Sequence, residues 1–165
     1  MKTYQNLTII LPTFNEESNV DLIVNALRKA FSKENHSYEI LFVDDSSDST
    51  PERIRAQMRK DPSIRMIHRP KEERTGLATA FVKGFEEAQS DHICCIDSDM
   101  QHPPELVPAL FKKLLLTESD VAVASRYIPG GSAEGLGGFY RKFASLVCKY
   151  VAQIILTPAR LTSDP

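Results

Sequence analysis

The sequence predicts an α/β protein, a mostly parallel sheet with helices on both faces that ends in an amphipathic helix. Three observations predict it. Short, apolar, β-branched runs alternate with longer segments whose apolar residues recur at helical spacing. The alternation runs in the order βαβαβαβαβ and then a helix, the pattern of parallel strands joined by crossover helices. The segments that immediately follow the strands are all polar, and right-handed crossovers gather such segments at one end of a sheet.

The elements follow in order. LTIIL (7–11) is a buried strand closed by Pro12. NEESNVDLIVNALRKAFSK carries Val20, Ile23, Val24, Leu27 and Phe31 on one helical face. YEILFV (38–43) is the second strand. Thr50 is placed as the cap of the next helix, with Pro51 at its first position, Glu52 in its first turn and its end before Pro62. IRMIH (64–68) is the third strand, and Leu77, Ala80, Phe81 and Phe85 form the apolar face of the third helix. HICCI (92–96) is the fourth strand, with a helix from about 104 to 116 after it. DVAVA (120–124) is the fifth strand. GGFYRKFASLVCKYVAQIIL (137–156) is a long amphipathic helix.

The bulk numbers set limits. One domain spanning residues 1–165 is long enough for a proper core. Hydrophobic residues make up 42% and charged residues 25%, the globular range. A net charge of −2 and a pI near 6.1 lack the basic footprint of a nucleic-acid binder. Cys94, Cys95 and Cys148 contain no CxxC pair and read as small buried hydrophobes in a reducing compartment. The N-terminal run lacks the pattern of a signal peptide, and no apolar stretch reaches the ~18 residues needed to cross a bilayer. The expectation is a soluble or peripheral chain.

The polar segments after the strands are PTFNEE, DDSSDST, RPKEERTG, DSDMQH and SRYIPGG. Ligands of parallel sheets bind at this end. The rim carries Glu16, Asp44, Asp45, Asp48, Asp97 and Asp99 against Arg69, Lys71, Arg74 and Arg126, a mixture suited to an anionic ligand and a cation. Asp97 and Asp99 are the sharpest signal. Residues two apart in extended chain point the same way, so both carboxylates can converge beyond the strand end. Such a pair needs a cation, and oxygen ligands favour Mg²⁺ or Mn²⁺ completed by water and a diphosphate. Gln101, in the same phase, could add an oxygen. An EF-hand is excluded, because the sixth position is His102 and the twelfth Pro108. The competing structural reading is a strand end that caps the next helix.

VDDSSDST admits two readings. Its acidic and hydroxyl groups could accept from a nucleobase or ribose, or Asp48 to Thr50 could form an Asx-turn and cap, which leaves Asp44 and Asp45 unexplained. PTFNEE alone is an ordinary helix start. RPKEERTGLATA is not a Walker A loop, since no GK[ST] follows, although helix N-termini attract phosphate. His102 reads as a capping or packing residue. The last helix could pack in a core or lie on an anionic membrane surface.

Taken together, IILPTFNEE, VDDSSDST, RTGLATA, IDSDMQHPPE and ASRYIPGG, in this order, resemble glycosyltransferase family 2, the nucleotide-sugar-dependent enzymes of the GT-A fold, a Rossmann-like architecture. The branch that this chain resembles is that of dolichol-phosphate mannose synthase and the bacterial polyprenyl-phosphate glycosyltransferases. The resemblance implies that Pro12, Thr13, Asn15 and Glu16 line the nucleotide pocket. It implies that Asp44 recognises the base, with Asp45 beside the ribose or phosphates. Leu77 and Ala80 would border the nucleotide, and Ser98 would join Asp97 in donor binding. Asp97, Asp99 and Gln101 would hold Mg²⁺ or Mn²⁺, with Asp99 catalytic. Arg126 and Arg141 would face the acceptor phosphate, with helix 137–156 at the membrane interface on the cytoplasmic face.

The implied reaction is inverting, metal-dependent transfer from a UDP- or GDP-sugar to a polyprenyl phosphate. In the family such a segment continues past the equivalent of RLTSDP into a Ser-Gly-Phe stretch and acceptor-side structure, often with transmembrane helices, so a truncated catalytic domain is expected. Two alternatives stand beside this reading: a sugar nucleotidyltransferase, which should carry a Gly-rich loop with Arg after the first strand, and a non-catalytic nucleotide-binding module.

Overall fold

The computed structural model describes residues 7–125. The chain divides into two units, Met1–Asp120 and Val121–Pro165. Four strands alternate with four helices in the first: β1 (Leu7–Thr13), α1 (Glu17–Phe31), β2 (Tyr38–Asp44), α2 (Thr50–Met58), β3 (Ile64–His68), α3 (Leu77–Glu87), β4 (Ile93–Cys95) and α4 (Val107–Thr117). Short 3₁₀ turns at Lys71–Glu73 and Pro104–Leu106 precede α3 and α4.

The sheet is parallel throughout, in the order β3-β2-β1-β4. Its core strands are buried on both faces, as near-continuous apolar runs require. Leu7, Ile9 and Leu11 of β1, with Ile40 and Phe42 of β2, pack with Val20, Ile23, Val24, Leu27 and Phe31 of α1, Ile54 of α2, and Val107 and Phe111 of α4. The opposite phase of the strands, Ile10, Leu41 and Val43, packs with Ala80 of α3. The expected α1 face is therefore the observed one, residue for residue.

Three expectations change. On α3, Ala80 and Phe81 of the expected face do pack on the sheet, joined by buried Gly84, whereas Leu77 and Phe85 are 57% and 48% exposed. Small residues make the closest contact because the helix lies against the sheet, with Phe81 packing beside them. A Cβ on Gly84 would stand 2.6 Å from Ile10 Cγ2, so bulky side chains cannot occupy that line. Secondly, 120–124 forms no strand. Val121 and Val123 are exposed, and a strand exists only where a neighbour completes its hydrogen bonds. Thirdly, Cys95 is exposed and Cys94 half-buried beside the core, the Cys94 thiol being pushed up to about 12 by burial and then by Cys95. Cys148 and the amphipathic segment 137–156 lie outside the described residues.

No helix among the described residues is long and apolar enough to cross a membrane.

Candidate functional site

The chain moves from β1 through β2 to β3 on one side, then crosses to place β4 on the other side of β1. The connections leaving β1 and β4 therefore part at the carboxyl edge, which is where open α/β sheets hold ligands. A cavity of about 350 Å³ lies there. One wall is Pro12, Thr13, Phe14 and Glu16 after β1, and a second is Asp97, Ser98 and Asp99 after β4. Asp45, Arg74, Gly76, Leu77 and Ala80 complete it.

Each wall is fixed by its neighbour. In the segment after β1, Asn15 takes a left-handed conformation (φ 58°), which its polar side chain makes tolerable. Its amide donates to Ser46 Oγ (2.8 Å), and its side-chain oxygen accepts from the Ser47 amide (3.0 Å). The Glu16 amide donates to Thr50 Oγ1 (2.9 Å). Thr50 is thus the first residue within α2 and holds the neighbouring loop rather than capping its own helix. The Asx-turn reading is met by Asp48, whose carboxylate accepts from the Thr50 amide (3.0 Å). Ser98 Oγ donates to the Pro12 carbonyl (3.1 Å), tying the β4 wall to the β1 wall.

The two consecutive aspartates after β2 part company. Asp44 is fully buried and does not line the cavity. Its Oδ1 accepts from Thr13 Oγ1 (2.8 Å) and Ser46 Oγ (2.6 Å), and its Oδ2 lies 2.5 Å from His68 Nδ1. Asp45 does line the cavity, gripped in bidentate fashion by Arg69, whose Nε stands 2.7 Å away. Arg69 is 2% exposed and also reaches Thr79 Oγ1 (3.0 Å) and the Gly76 carbonyl (3.3 Å). Asp45 is thereby locked to the start of α3.

The expected set is therefore gathered only in part. Pro12, Thr13, Glu16, Asp45, Leu77, Ala80, Asp97, Ser98 and Asp99 share one cavity. Asn15 and Asp44 do not line it; Asn15 bonds Ser46 and Ser47, and buried Asp44 bonds Thr13 of the wall. Gln101 is exposed and off the lining, its backbone amide donating to Asp99 Oδ1 (2.9 Å). Arg126 and Arg141 lie outside the described residues. Phe14, Arg74 and Gly76 also line the cavity although the resemblance assigned them no role; the signal for Arg74 was its place among the basic rim residues in RPKEERTG before a helix.

Asp97 and Asp99 suit a hard divalent cation. Both are partly exposed to the cavity from adjoining positions of one loop, and Met100 (φ 64°) turns the chain sharply after them. His102 Nδ1 lies 3.4 Å from Asp97 Oδ2 at the outer edge. No cluster of three His, Cys, Asp or Glu forms among the described residues. A divalent cation such as Mg²⁺ or Mn²⁺ could be held there by the two carboxylates, with phosphate and water completing its shell.

A parallel sheet, a cavity at its switch point and a paired carboxylate loop define the class as an α/β protein with a ligand site at the carboxyl edge of the sheet. Residues 8–145 match the model of the family described as Glycosyl transferase family 2, and the chain belongs to that family. It is 38% identical over 160 residues to a dolichol-phosphate mannosyltransferase of Pyrococcus furiosus, covering 96% of this chain and 44% of that protein. It is 33% identical over 160 residues to the Saccharomyces cerevisiae protein of the same name, covering 96% and 57%. The chain thus spans about half the length of these curated relatives.

Among solved structures, a glucosyl-3-phosphoglycerate synthase from Mycobacterium tuberculosis, in complex with UDP, superposes with a TM-score of 0.60 at 20% identity, over 95% of this chain and 52% of that one. A mannosyltransferase from Pyrobaculum calidifontis, in complex with GDP-Man and Mn²⁺, gives a TM-score of 0.51 at 24% identity, over 65% and 31%. These two likenesses establish the fold, which is the GT-A fold expected from the sequence. The family match displaces the nucleotidyltransferase alternative.

Proposed function

We propose that this chain forms the donor-binding part of an inverting glycosyltransferase that moves a sugar from a nucleoside diphosphate sugar to a polyprenyl phosphate. The observation that carries the reading is the cavity itself, which Asp97 and Asp99 line together with the β1 segment, Asp45 and Arg74. The names of the curated relatives support a mannosyl group and a dolichyl phosphate acceptor. The neighbour solved with GDP-Man and Mn²⁺ makes the guanosine diphosphate sugar the first donor to test.

The residues divide the work. Asp97 and Asp99 hold Mg²⁺ or Mn²⁺. That ion, when bound, offsets the charge that grows on the departing nucleoside diphosphate. Arg74 places a guanidinium on the same cavity, and the start of α3 at Gly76 and Leu77 adds the positive end of a helix dipole. Asp45 faces the nucleoside side, held in one orientation by Arg69. An acceptor phosphate is already anionic near neutral pH and needs no protein base. Arg126 and Arg141 are proposed to hold it in line, and a single displacement inverts the anomeric carbon. Work on a lipid phosphate would bring the protein to a membrane surface, and its cytoplasmic face is part of the proposal.

Calorimetric titration of GDP, UDP, dTDP and CMP, each with and without Mn²⁺, tests the reading. One diphosphate should bind in a metal-dependent manner, and Asp99→Ala should weaken it at least about tenfold. A folded chain that binds none of them would overturn the donor site.

A further inference from the structure

The register of the sheet lines up three polar side chains at its carboxyl edge. Thr13 of β1 pairs with Asp44 of β2, and Asp44 pairs with His68 of β3. The row continues beyond the sheet, because Nε2 of His68 stands 2.9 Å from Nη2 of Arg74. A guanidinium nitrogen only donates hydrogen bonds, so His68 Nε2 must accept. The proton of the neutral ring therefore sits on Nδ1, donated to Asp44 Oδ2 at 2.5 Å. The Arg74 guanidinium is held on two further sides, Nε donating to the Arg69 carbonyl (2.9 Å) and Nη1 to the Ser46 carbonyl (3.4 Å). Arg74 is the one cation among the described residues that line the cavity, where Glu16, Asp45, Asp97 and Asp99 are the anions. Arg69, the other cation close by, is committed to Asp45.

We propose that His68 is a positioning residue for donor binding. It relays the fixed orientation of buried Asp44 to Arg74 and keeps that guanidinium turned toward the diphosphate. The inference rests on the donor-site reading above. It assigns to Asp44 the role of anchoring this relay, in place of base recognition. Nothing in the relay needs His68 to touch the ligand. Its ring supplies an acceptor lone pair to Nη2, the third of the contacts that hold the Arg74 guanidinium.

The test is a double-mutant cycle read by calorimetric titration of GDP with Mn²⁺, with UDP and Mn²⁺ as a parallel arm. His68→Ala and Arg74→Ala should each weaken binding about tenfold, the loss of one charge-assisted contact, and the double variant should be no weaker than Arg74→Ala. Two conservative variants separate positioning from folding. His68→Gln can bring its amide oxygen to the place of Nε2 and should restore most of the affinity. His68→Asn can bring its amide NH₂ to the place of Nδ1 and should restore the urea midpoint but not the affinity. In the unsubstituted chain, ¹⁵N shifts of His68 at neutral pH should show the Nδ1–H tautomer.

Additive losses in the cycle, wild-type affinity in His68→Ala, or an Nε2–H tautomer would each overturn the relay while leaving the donor site intact. Absence of binding to either diphosphate in the folded, unsubstituted chain would overturn the donor site and the relay with it.

Discussion

At the scale of single residues, two neighbouring aspartates have opposite duties. Asp44 accepts from Thr13, Ser46 and His68 inside the protein, whereas Asp45 turns to the cavity and pairs with buried Arg69. Removing either leaves buried donors without an acceptor, and the penalty depends on their charge. Asp44→Ala strands two hydroxyls and an imidazole N–H, and should cost about 2–4 kcal/mol. Asp45→Ala leaves a guanidinium that is 2% exposed without its partner, and should cost about 3–5 kcal/mol. Urea unfolding midpoints would rank the two, with Asp45→Ala the more damaging. An equal or reversed order would mean that water reaches Arg69 readily.

At the scale of elements, α3 is seated by what it lacks. Its contact line is Ala80 and Gly84, and Gly84 lies against Ile10 in the middle of β1. Gly84→Val would press branched carbons into a buried, equally branched neighbour. It should destabilise the protein by about 1–3 kcal/mol despite the better intrinsic helix former. The same displacement should weaken diphosphate binding, because Gly76, Leu77 and Ala80 at the start of α3 line the cavity. Denaturation and titration on one variant check both statements. A loss of stability with unchanged affinity would show that the start of α3 is held independently, by Arg69.

At the scale of the whole molecule, carboxylates held by hydrogen bonds and by an ion pair between elements shape the response to acid. Arg28 of α1 holds Asp61, just beyond α2, at 3.0 Å. Burial raises the Asp61 pKa, but the Ser63 hydroxyl and amide and Arg28 outweigh it and hold the carboxyl below its ordinary 3.8. Thr50, through its hydroxyl and amide, likewise holds Asp48 below that value. Both groups have lower pKa values folded than unfolded. Their contributions are therefore complete above the ordinary carboxylate range and are lost as pH falls through the folded values. Stability should decline once the pH drops below about 4, and Asp61→Asn should flatten that decline. Urea midpoints between about pH 6 and pH 3 give the slope directly, and an unchanged slope in the variant would remove Asp61 from the account.

Much of this was legible in the sequence. The spacing of Val20, Ile23, Val24, Leu27 and Phe31 specified the buried face of α1, and β-branched runs specified four strands, because local periodicity and burial are the same fact seen twice. The Asp97–Asp99 pair at a strand end pointed to the cavity for a similar reason, as the alternation of strands and helices already fixes which loops share an edge. Three features were decided only by tertiary structure. Apolar content misdirected part of the reading of α3, because closeness of approach to Ile10, rather than hydrophobicity, selects its contact line. Segment 120–124 has strand-like composition without a strand, because a strand is completed by its neighbour. Finally, no local pattern separates Asp44 from Asp45. Consecutive residues point to opposite sides, and only the pairing of β2 with β1 and β3 puts Thr13 and His68 around the first and leaves the second to the cavity.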